Sequence, residues 1–396
     1  MKFLVCPDSF KGTMSAGKVS EIISSELRKA GYDAEAAPIA DGGEGTLEAI
    51  ASAVRCRKRF LSTMNPLKKR ISSYYAFDKK TAYMEYAVCC GLHLINEKDR
   101  NPLKSTSAGF GILLDDALKL GMKKIYIGIG GSATNDAGAG MLQALGVKFY
   151  NKKGEEISQE RILTAEDLNE IYDFDASSLF KKINGVDITV LSDVKNPLTG
   201  KNGATYVYSQ QKGAKKNQLK IMDNNIKHFA SIVKSKMNVN PEFPGAGASG
   251  GLGFALKIFL NGTIVPGVEG VSKILRLDEK IPQCDVVIVG EGALDYQTAF
   301  GKAPWGVAKM AKKYNKYVAA ISGKAGEGAD ELLGTCIDTI YAGYNNIKIT
   351  DKIRTHSEND LKKTVRKFIR DFQNNNLKNK ITLIYGRNKT KDSDYA

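Results

Sequence analysis

The chain has 396 residues, which is too long for one compact core, so its length predicts two domains. With 42% hydrophobic and 26% charged residues it is typical of a globular protein, and no apolar run approaches the ~18 residues of a membrane span. The net charge of +15 comes mainly from scattered lysines without a nucleic-acid-binding motif, so we expect neither a nucleic-acid partner nor a membrane partner.

Strand and helix patterns alternate along the chain, and continuous apolar strands separated by helices predict a doubly wound, parallel α/β sheet. A long loop is predicted at 151–185, and a polar segment at 345–364 precedes a last helix to about Asn376 and a frayed tail. The other predicted elements, in chain order, are strand 2–6, helix 15–30, strand 33–38, helix 46–54, strands 124–130, 186–191 and 284–290, helix 301–314, strand 317–322, helix 329–335 and strand 337–342.

Cysteine and histidine usage restricts the chemistry and the compartment. The six cysteines form no CxxC pair, which favours reduced thiols over a disulfide framework or a zinc site. The first residues lack the apolar stretch of a signal peptide, so we expect a cytoplasmic protein. Only three histidines are present, and this argues against chemistry that needs several of them.

Six short stretches rich in glycine or acidic residues could carry chemistry, and four of them directly follow a predicted strand. Ligands of open α/β sheets bind at the carboxyl ends of the strands, and small residues beside helix starts expose N–H groups that bind phosphate. The six stretches are DSFKG (8–12), ADGGEGT (40–46), GIGGSATNDAGAGM (128–141), SDVKNPLTGKNGA (192–204), GAGASGGLGF (245–254) and VIVGEGALDYQT (287–298).

Charged residues within these stretches match the requirements of phosphoryl transfer. Asp193 and Asp295 follow strands, Asp41 and Glu44 lie among glycines, and Lys11 follows the first strand. Each acid alone could be a helix cap. Together they offer oxygen ligands for magnesium, an acceptor for a hydroxyl proton and a cation for phosphate charge.

Two other functions stay open from the residues alone. GIGGSA (128–133) follows a strand and matches the dinucleotide fingerprint GxGxxG/A, although the acid expected about 20 residues later is absent. This leaves a nicotinamide-dependent hydroxy-acid reductase as an alternative. The second alternative is a non-catalytic regulator that binds a sugar acid.

Seven stretches in order across residues 1–325 resemble the type I glycerate kinase family, the bacterial ATP-dependent enzymes. Positions Ala137, Ala293 and Tyr296 depart from the usual family pattern. The stretches that carry the resemblance are PDSFKGTMSA (7–16), IADGGEGT (39–46), RNPLKSTSAGFG (100–111), GIGGSATNDAGAGM (128–141), DVKNPLTGKNGA (193–204), GAGASGGLGF (245–254) and GEGALDYQTAFGKAPWGVA (290–308).

The resemblance implies transfer of the γ-phosphoryl group of ATP to a hydroxyl of D-glycerate with Mg²⁺, with 2-phosphoglycerate as the favoured product. It also implies two α/β domains with the active site in the cleft between them. We expect residues 1–63 and 277–396 to form a Rossmann- or flavodoxin-like domain and residues 64–276 to form an inserted α/β domain. The partners are then small molecules, and the oligomeric state is left open, with a homodimer as one option.

On this reading Asp193 accepts the hydroxyl proton, with Asp295 as the other candidate, and Lys11 neutralises transferring charge. Asp41 and Glu44 are the expected Mg²⁺ ligands. The residues expected to bind substrate or nucleotide are Asp8, Ser9, Gly42, Gly43, Ser105, Thr106, Ser107, Gly130, Gly131, Ser132, Thr134, Asn135, Asn196, Gly247, Gly250, Gln297 and Thr298.

Overall fold

A computed structural model describes residues 1–296, 298, 302–345 and 358–374. The chain divides into two compact units. The first unit comprises Met1–Ala40, Glu48–Val54 and Val271–Ala396, and the second comprises Asp41–Leu47 and Arg55–Gly270. The domain boundaries expected at 63/64 and 276/277 stay a prediction.

The strands are β1 Lys2–Pro7, β2 Asp33–Ala36, β3 Arg57–Met64, β4 Arg70–Asp78, β5 Thr81–Glu85, β6 Lys124–Gly128, β7 Lys148–Tyr150, β8 Asp173–Asp175, β9 Asp187–Leu191, β10 Thr263–Val265, β11 Val286–Gly290, β12 Ala293–Leu294, β13 Tyr317–Ala325 and β14 Thr339–Asn345. The α-helices are α1 Ala16–Lys29, α2 Thr46–Ala53, α3 Ala87–Cys90, α4 Ala108–Lys119, α5 Ala139–Ala144, α6 Ser177–Ile183, α7 Ala204–Tyr208, α8 Leu219–Met237, α9 Ala248–Leu260, α10 Gly267–Ile274, α11 Leu277–Lys280, α12 Ala303–Lys313 and α13 Glu358–Gln373.

The sheet of the first unit is built from both parts of the chain, in the order β14-β13-β11-β1-β2, and β12 pairs with the end of β13. Every pairing in it is parallel. The apolar side chains of β1 and β11 are buried, and helices α1 and α13 pack beside them through residues such as Val19 and Phe368. Burial on both faces explains why these strands read as continuous apolar runs. The predicted α/β fold with a parallel sheet from both chain ends is confirmed.

The sheet of the second unit runs β10-β9-β6-β5-β4-β3. Its four strands β10, β9, β6 and β5 are parallel, whereas β4 and β3 continue the sheet antiparallel. Helices α4, α5, α8 and α9 contribute to the large apolar core of this unit. The carboxyl ends of the four parallel strands therefore lie at one edge of the sheet.

Some local predictions differ from the structure. Residues 329–335 were expected to be helical, but only one 3₁₀ turn forms, at Asp330–Leu332, and Gly334 follows with a φ of +75°. The region 151–185 is not a plain loop, because it contains β8 and α6. Residues 346–357 and 375–396, where the polar segment and the frayed tail were expected, lie outside the described residues. Within the described ranges, no helix has the length and apolarity required to cross a bilayer.

Candidate functional site

The loop 41–46 lies across the carboxyl ends of β6 and β9. The Gly130 N–H donates to the carbonyl oxygen of Gly42 over 3.0 Å. Gly42 has a φ of +89°, and a Cβ there would lie 2.6 Å from the carbonyl oxygen of Leu191 at the end of β9. Only glycine fits this conformation at this distance. The glycines of ADGGEGT thus serve close backbone packing between two strand ends.

Gly267 brings the two predicted acids Asp41 and Asp193 together. A Cβ on Gly267 would lie 1.8 Å from the Asp41 carbonyl oxygen, so the two backbones are in direct contact. The Gly267 N–H also donates to Oδ1 of Asp193 over 3.0 Å. This single bond fixes one carboxylate oxygen and leaves Oδ2 without a donor among the described residues.

Two opposing sets of influences act on the Asp193 carboxyl group. Partial desolvation raises the pKa of Asp193, and the negative charge of Asp41 adds to this effect. The hydrogen bond from Gly267 and the positive charge of Lys195 oppose it, and the pKa of Asp193 stays above the ordinary value of 3.8. A carboxylate with a raised pKa is a better proton acceptor than an ordinary aspartate.

The start of α2 is held by a buried carboxylate at the end of β5. Glu85 is 3% exposed and accepts hydrogen bonds from the N–H groups of Gly45, at 3.2 Å, and Leu47, at 2.9 Å. A carboxylate at a helix N-terminus satisfies unpaired N–H groups and opposes the positive end of the helix. Glu85 therefore orients the loop that carries Asp41 and Glu44.

The loop after β6 presents unpaired backbone donors. Gly131 is exposed and has a φ of +73°. In the part of the chain that the structure describes, the N–H groups of Gly131 and Ser132 have no acceptor, whereas the Ala133 N–H bonds to the carbonyl oxygen of Cys90. Adjacent free N–H groups around a left-handed residue form a concavity that binds anions.

Asp136 is the hub that holds this loop in place. It is 1% exposed, and its Oδ2 accepts from the Ser107 N–H at 2.8 Å, the Ser107 hydroxyl at 2.7 Å and the Gly140 N–H at 3.3 Å. Its Oδ1 accepts from the Gly138 N–H at 3.3 Å. Burial raises the pKa of Asp136, and these hydrogen bonds act in the opposite direction.

The three hydroxyls predicted at 105–107 are fully buried and already paired. Ser105 donates to the Asn101 carbonyl oxygen, Thr106 accepts from the Ala108 N–H, and Ser107 binds Asp136. Ser107 supports the glycine loop through Asp136 and through the Met141 N–H. The role of all three residues as ligands of the substrate stays a prediction.

Segment 245–251 packs against both the 193–197 loop and the glycine loop. The Gly247 N–H donates to the Asn196 carbonyl oxygen at 3.1 Å, and the Gly250 carbonyl oxygen accepts from Ala137 at 2.9 Å. Ser249 donates to the carbonyl oxygen of Ile129. The Asn196 side chain is engaged internally, because it donates to the Asn202 carbonyl oxygen and accepts from the Tyr208 hydroxyl. This segment therefore braces two of the predicted loops.

Thr134 and Asn135 are completely buried. The Thr134 and Tyr86 hydroxyls are 2.8 Å apart, and Asn135 Nδ2 donates to Thr205 over 2.9 Å. The Asn135 Oδ1 atom is buried without a partner within the described residues.

A lysine that the sequence did not single out lies behind the glycine loop. Lys212 is 3% exposed, and its Nζ donates to Ser132 Oγ over 2.7 Å and to the Thr134 carbonyl oxygen over 2.8 Å. Burial lowers the pKa of Lys212 to about 7, while the charge of Asp136 acts in the opposite direction. Lysine is almost never fully buried without a partner, so this ammonium group is a marked feature of the second unit.

In the first unit, the loop after β1 lies beside the loop after β11. The Asp8 N–H donates to the carbonyl oxygen of Gly290, and the Asp8 carboxylate accepts from the Ser9 N–H at 2.6 Å. A Cβ on Gly292 would lie 3.3 Å from the Lys11 backbone nitrogen. Lys11 is exposed, and its role of neutralising transferring charge stays a prediction.

The second polar group of the first unit surrounds Lys302. Its Nζ lies 3.3 Å from both Glu291 and Asp295, and the Thr298 hydroxyl donates to Glu291 at 2.7 Å. Burial raises the pKa of Glu291, and the bonds from Thr298 and Lys302 oppose this. Asp295 is therefore held by an ion pair. Gln297 lies outside the described residues.

The oxygen donors at the carboxyl edge of the second sheet fit a magnesium ion whose coordination shell is completed by phosphate oxygens and water. Asp41 and Glu44 are exposed oxygen donors. Asp41 Oδ1 accepts from Gly43 N–H at 2.9 Å, and Glu44 lies 3.7 Å from His93 Nδ1. No cluster of three or more His, Cys, Asp or Glu that could hold a metal occurs among the described residues. Mg²⁺ commonly takes only one or two protein carboxylates and completes its shell with water and phosphate oxygens.

Sequence reasoning missed Glu85, Lys212, Gly267, Glu291 and Lys302. Glu85 could have been identified from the sequence, since it is the last residue of a parallel strand. Asp193, which was identified, lies two residues after the end of another parallel strand. Lys212 follows α7 in a turn and has no local pattern that separates it from the other lysines. Its burial is set by contacts with residues about 80 positions away.

The comparisons with known proteins agree with the earlier resemblance. Residues 3–373 match the glycerate kinase family. The chain is similar to "Glycerate 2-kinase" of Escherichia coli K12, at 40% identity over 89% of this chain and 93% of the relative. It is also similar to "Glycerate kinase" of Halalkalibacterium halodurans, at 38% identity over 92% and 96%.

The structural comparison extends over nearly the whole chain. The fold matches the "Crystal structure of putative glycerate kinase 2 from Salmonella typhimurium LT2" with a TM-score of 0.82 and 35% identity, over 94% of this chain and 98% of that one. The family match and the alignments with the relatives extend over most of the chain, whereas a single glycine loop is only a few residues long. The chain belongs to the glycerate kinase family.

Proposed function

We propose that the protein transfers the γ-phosphoryl group of ATP to a hydroxyl of D-glycerate, giving ADP and a phosphoglycerate, with 2-phosphoglycerate as the favoured product. Family membership supports the reaction, and the name of the Escherichia coli relative, "Glycerate 2-kinase", supports the position. The observation that carries the proposal is the grouping of Asp41, Asp193 and an open nest of N–H groups at one sheet edge.

Asp193 is the proposed acceptor for the proton of the reacting hydroxyl. Gly267 holds its Oδ1, so Oδ2 is the atom that takes the proton. The transition state of phosphoryl transfer is loose, and positioning contributes more than the strength of the base. Asp295, the other predicted candidate, is paired with Lys302, and this ion pair favours Asp193 as the base.

The unpaired N–H groups of Gly131 and Ser132 are the proposed site for an anionic group of a substrate. Such N–H groups bind phosphate and carboxylate oxygens alike. Because they are already oriented, they do not have to move when negative charge develops on a substrate oxygen. Lys11 keeps its predicted role of neutralising phosphoryl charge.

Asp41 and Glu44 are the proposed protein ligands of Mg²⁺, and nucleotide oxygens and water would complete the shell. When bound, the ion offsets the charge of the phosphates. Glu85 and Gly267 hold the backbone on either side of these ligands in place.

The test incubates the protein with ATP, Mg²⁺ and D-glycerate and identifies the product by phosphorus and proton NMR. We expect 2-phosphoglycerate and an equal amount of ADP. A parallel thermal-shift series compares ATP–Mg²⁺ with NADPH, because a ligand of the native state raises the melting temperature. No phosphorylated product, together with stabilisation by NADPH alone, would reject the kinase and favour the reductase alternative.

A further inference from the structure

Lys212 is a buried cation whose contacts all point to one loop. Its side chain reaches Ser132 and the Thr134 carbonyl oxygen, both in the glycine loop after β6, from a turn that follows α7. Burying an ammonium group is costly unless it is paired, and no carboxylate within the described residues forms an ion pair with it. The arrangement therefore calls for a reason beyond stability.

The chemistry of the ammonium group fixes the direction of the Ser132 hydroxyl. A lysine ammonium can only donate, so Ser132 Oγ must accept the bond over 2.7 Å. The hydroxyl proton of Ser132 then points away from Lys212, and no acceptor for it occurs in the described part of the chain. Ser132 is 8% exposed, and its neighbour Gly131 is exposed on the same loop.

The oriented hydroxyl adds to the donors already identified there. The N–H groups of Gly131 and Ser132 are also without acceptors among the described residues, so three donors belong to two adjacent residues. A positive charge behind them increases their attraction for an oxyanion, and burial of Lys212 reduces the screening of that charge by water.

We propose that Lys212 is a positioning residue that turns the Ser132 hydroxyl toward a bound carboxylate or phosphate group and supplies the positive charge behind that anion site. The proposal rests on the proposed function, because the anion is then part of D-glycerate or of the nucleotide. It assigns Lys212 no contact with the reacting atoms.

The protonation state of Lys212 provides a second signature. Burial lowers the pKa of Lys212 to about 7. Above that pH the positive charge is lost, and the neutral amine has a lone pair that can accept the Ser132 proton, so the direction of the hydroxyl is no longer fixed toward the anion. Asp136 is the charged group that acts on Lys212, and its charge favours the ammonium form. Tyr86 bonds the Thr134 side chain, and the Arg100 backbone lies against Gly213, the residue after Lys212.

The experiment measures the Kd of D-glycerate and, separately, of ADP by calorimetry for the wild type, Lys212→Met, Lys212→Arg and Ser132→Ala. Lys216→Met, which removes an exposed lysine four residues away, is the control. We expect Lys212→Met to weaken one of the two ligands by about 10–100-fold, as for the loss of a charge-assisted hydrogen bond. Lys212→Arg should retain much of the affinity, and the ligand affected identifies the source of the anion.

Two further readouts separate a positioning role from a structural one. Because Lys212 acts through Ser132, the Lys212→Met and Ser132→Ala effects should be less than additive in the double variant. D-Glycerate stays ionised between about pH 6 and 8.5, since its carboxyl group titrates near 3.5. If D-glycerate is the affected ligand, its affinity should fall through about pH 7 in the wild type but not in Lys212→Met. If ADP is the affected ligand, the affinity for ADP should show this additional pH dependence.

Unchanged affinity for both ligands in a folded Lys212→Met, or full additivity with Ser132→Ala, overturns the proposal. If Lys212→Met fails to fold, Ser132→Ala decides, since it keeps the bond from Lys212 to Thr134: wild-type affinity for both ligands would refute the role of the hydroxyl. Failure of the kinase proposal looks different, because the wild type would then form no phosphoglycerate whatever the variants bind.

Discussion

Replacing Asp136 with asparagine tests whether a buried carboxylate holds the glycine loop. An asparagine whose carbonyl oxygen takes the Oδ2 position keeps the bonds from Ser107 and Gly140, but these donors now meet a neutral acceptor. Hydrogen bonds to a charged group contribute roughly 1 kcal/mol more than neutral ones, so three such bonds lose about 3 kcal/mol. The amide NH₂ group then faces the Gly138 N–H, which loses its acceptor at a further ~1–3 kcal/mol.

A gain offsets the weaker bonding to a neutral acceptor, because asparagine avoids the desolvation of a buried charge, and this desolvation outweighs the hydrogen bonds and raises the pKa of Asp136. The remaining cost is the Gly138 N–H without an acceptor, so we expect a net destabilisation of about 1–3 kcal/mol, which for a unit of this size lowers the melting temperature by about 2–12 °C. The assay is thermal unfolding followed by circular dichroism, with Asp187→Asn as the control, since Asp187 is exposed at the start of β9. An unchanged melting temperature for Asp136→Asn would refute the reasoning.

Three other outcomes are expected. Asp41→Asn removes a charge that raises the pKa of Asp193, so the pKa of Asp193 in the metal-free protein, followed by NMR titration of its carboxyl carbon, should fall; an unmoved pKa contradicts the coupling. Gly267→Ala places a Cβ 1.8 Å from the Asp41 carbonyl oxygen and should reduce kcat/KM about 100-fold, whereas wild-type kinetics would mean that the contact is unimportant. The difference in melting temperature between Glu291→Gln and the wild type should shift in favour of the variant when the pH is raised from acid pH to pH 7. The folded pKa of Glu291 is raised, so its contribution to stability is present below the ordinary value of 4.5 and is lost as pH rises; an equal difference at both pH values contradicts this.

The parallel strands and their loops were predictable because their signals are local. Runs such as Val286–Gly290 are apolar throughout, since both faces of the strand are buried, and a loop rich in glycine follows each one. The amphipathic helix α1 likewise carries its own start signal, because the Ser15 hydroxyl accepts a bond from the Lys18 N–H. These features depend on neighbours in sequence.

The supporting residues of the site were not predictable in the same way. Lys212 meets Ser132 across 80 positions, and Glu85 meets Leu47 across 38 positions. Gly267 matters because its backbone contacts the Asp41 backbone, and no local sequence pattern indicates this contact. Sequence patterns therefore indicated which loops carry chemistry, whereas the groups that hold those loops depend on tertiary contacts.

The kcat of Asp193→Asn tests the central claim most directly. Asparagine keeps an oxygen for the Gly267 N–H but cannot take up the hydroxyl proton, so the variant should fold as the wild type does. We predict a kcat lower by about 10²–10⁴-fold with ATP, Mg²⁺ and D-glycerate, while Asp187→Asn keeps the wild-type value. A kcat for Asp193→Asn within a factor of about two of the wild type would contradict the account, since a required proton acceptor contributes far more than that.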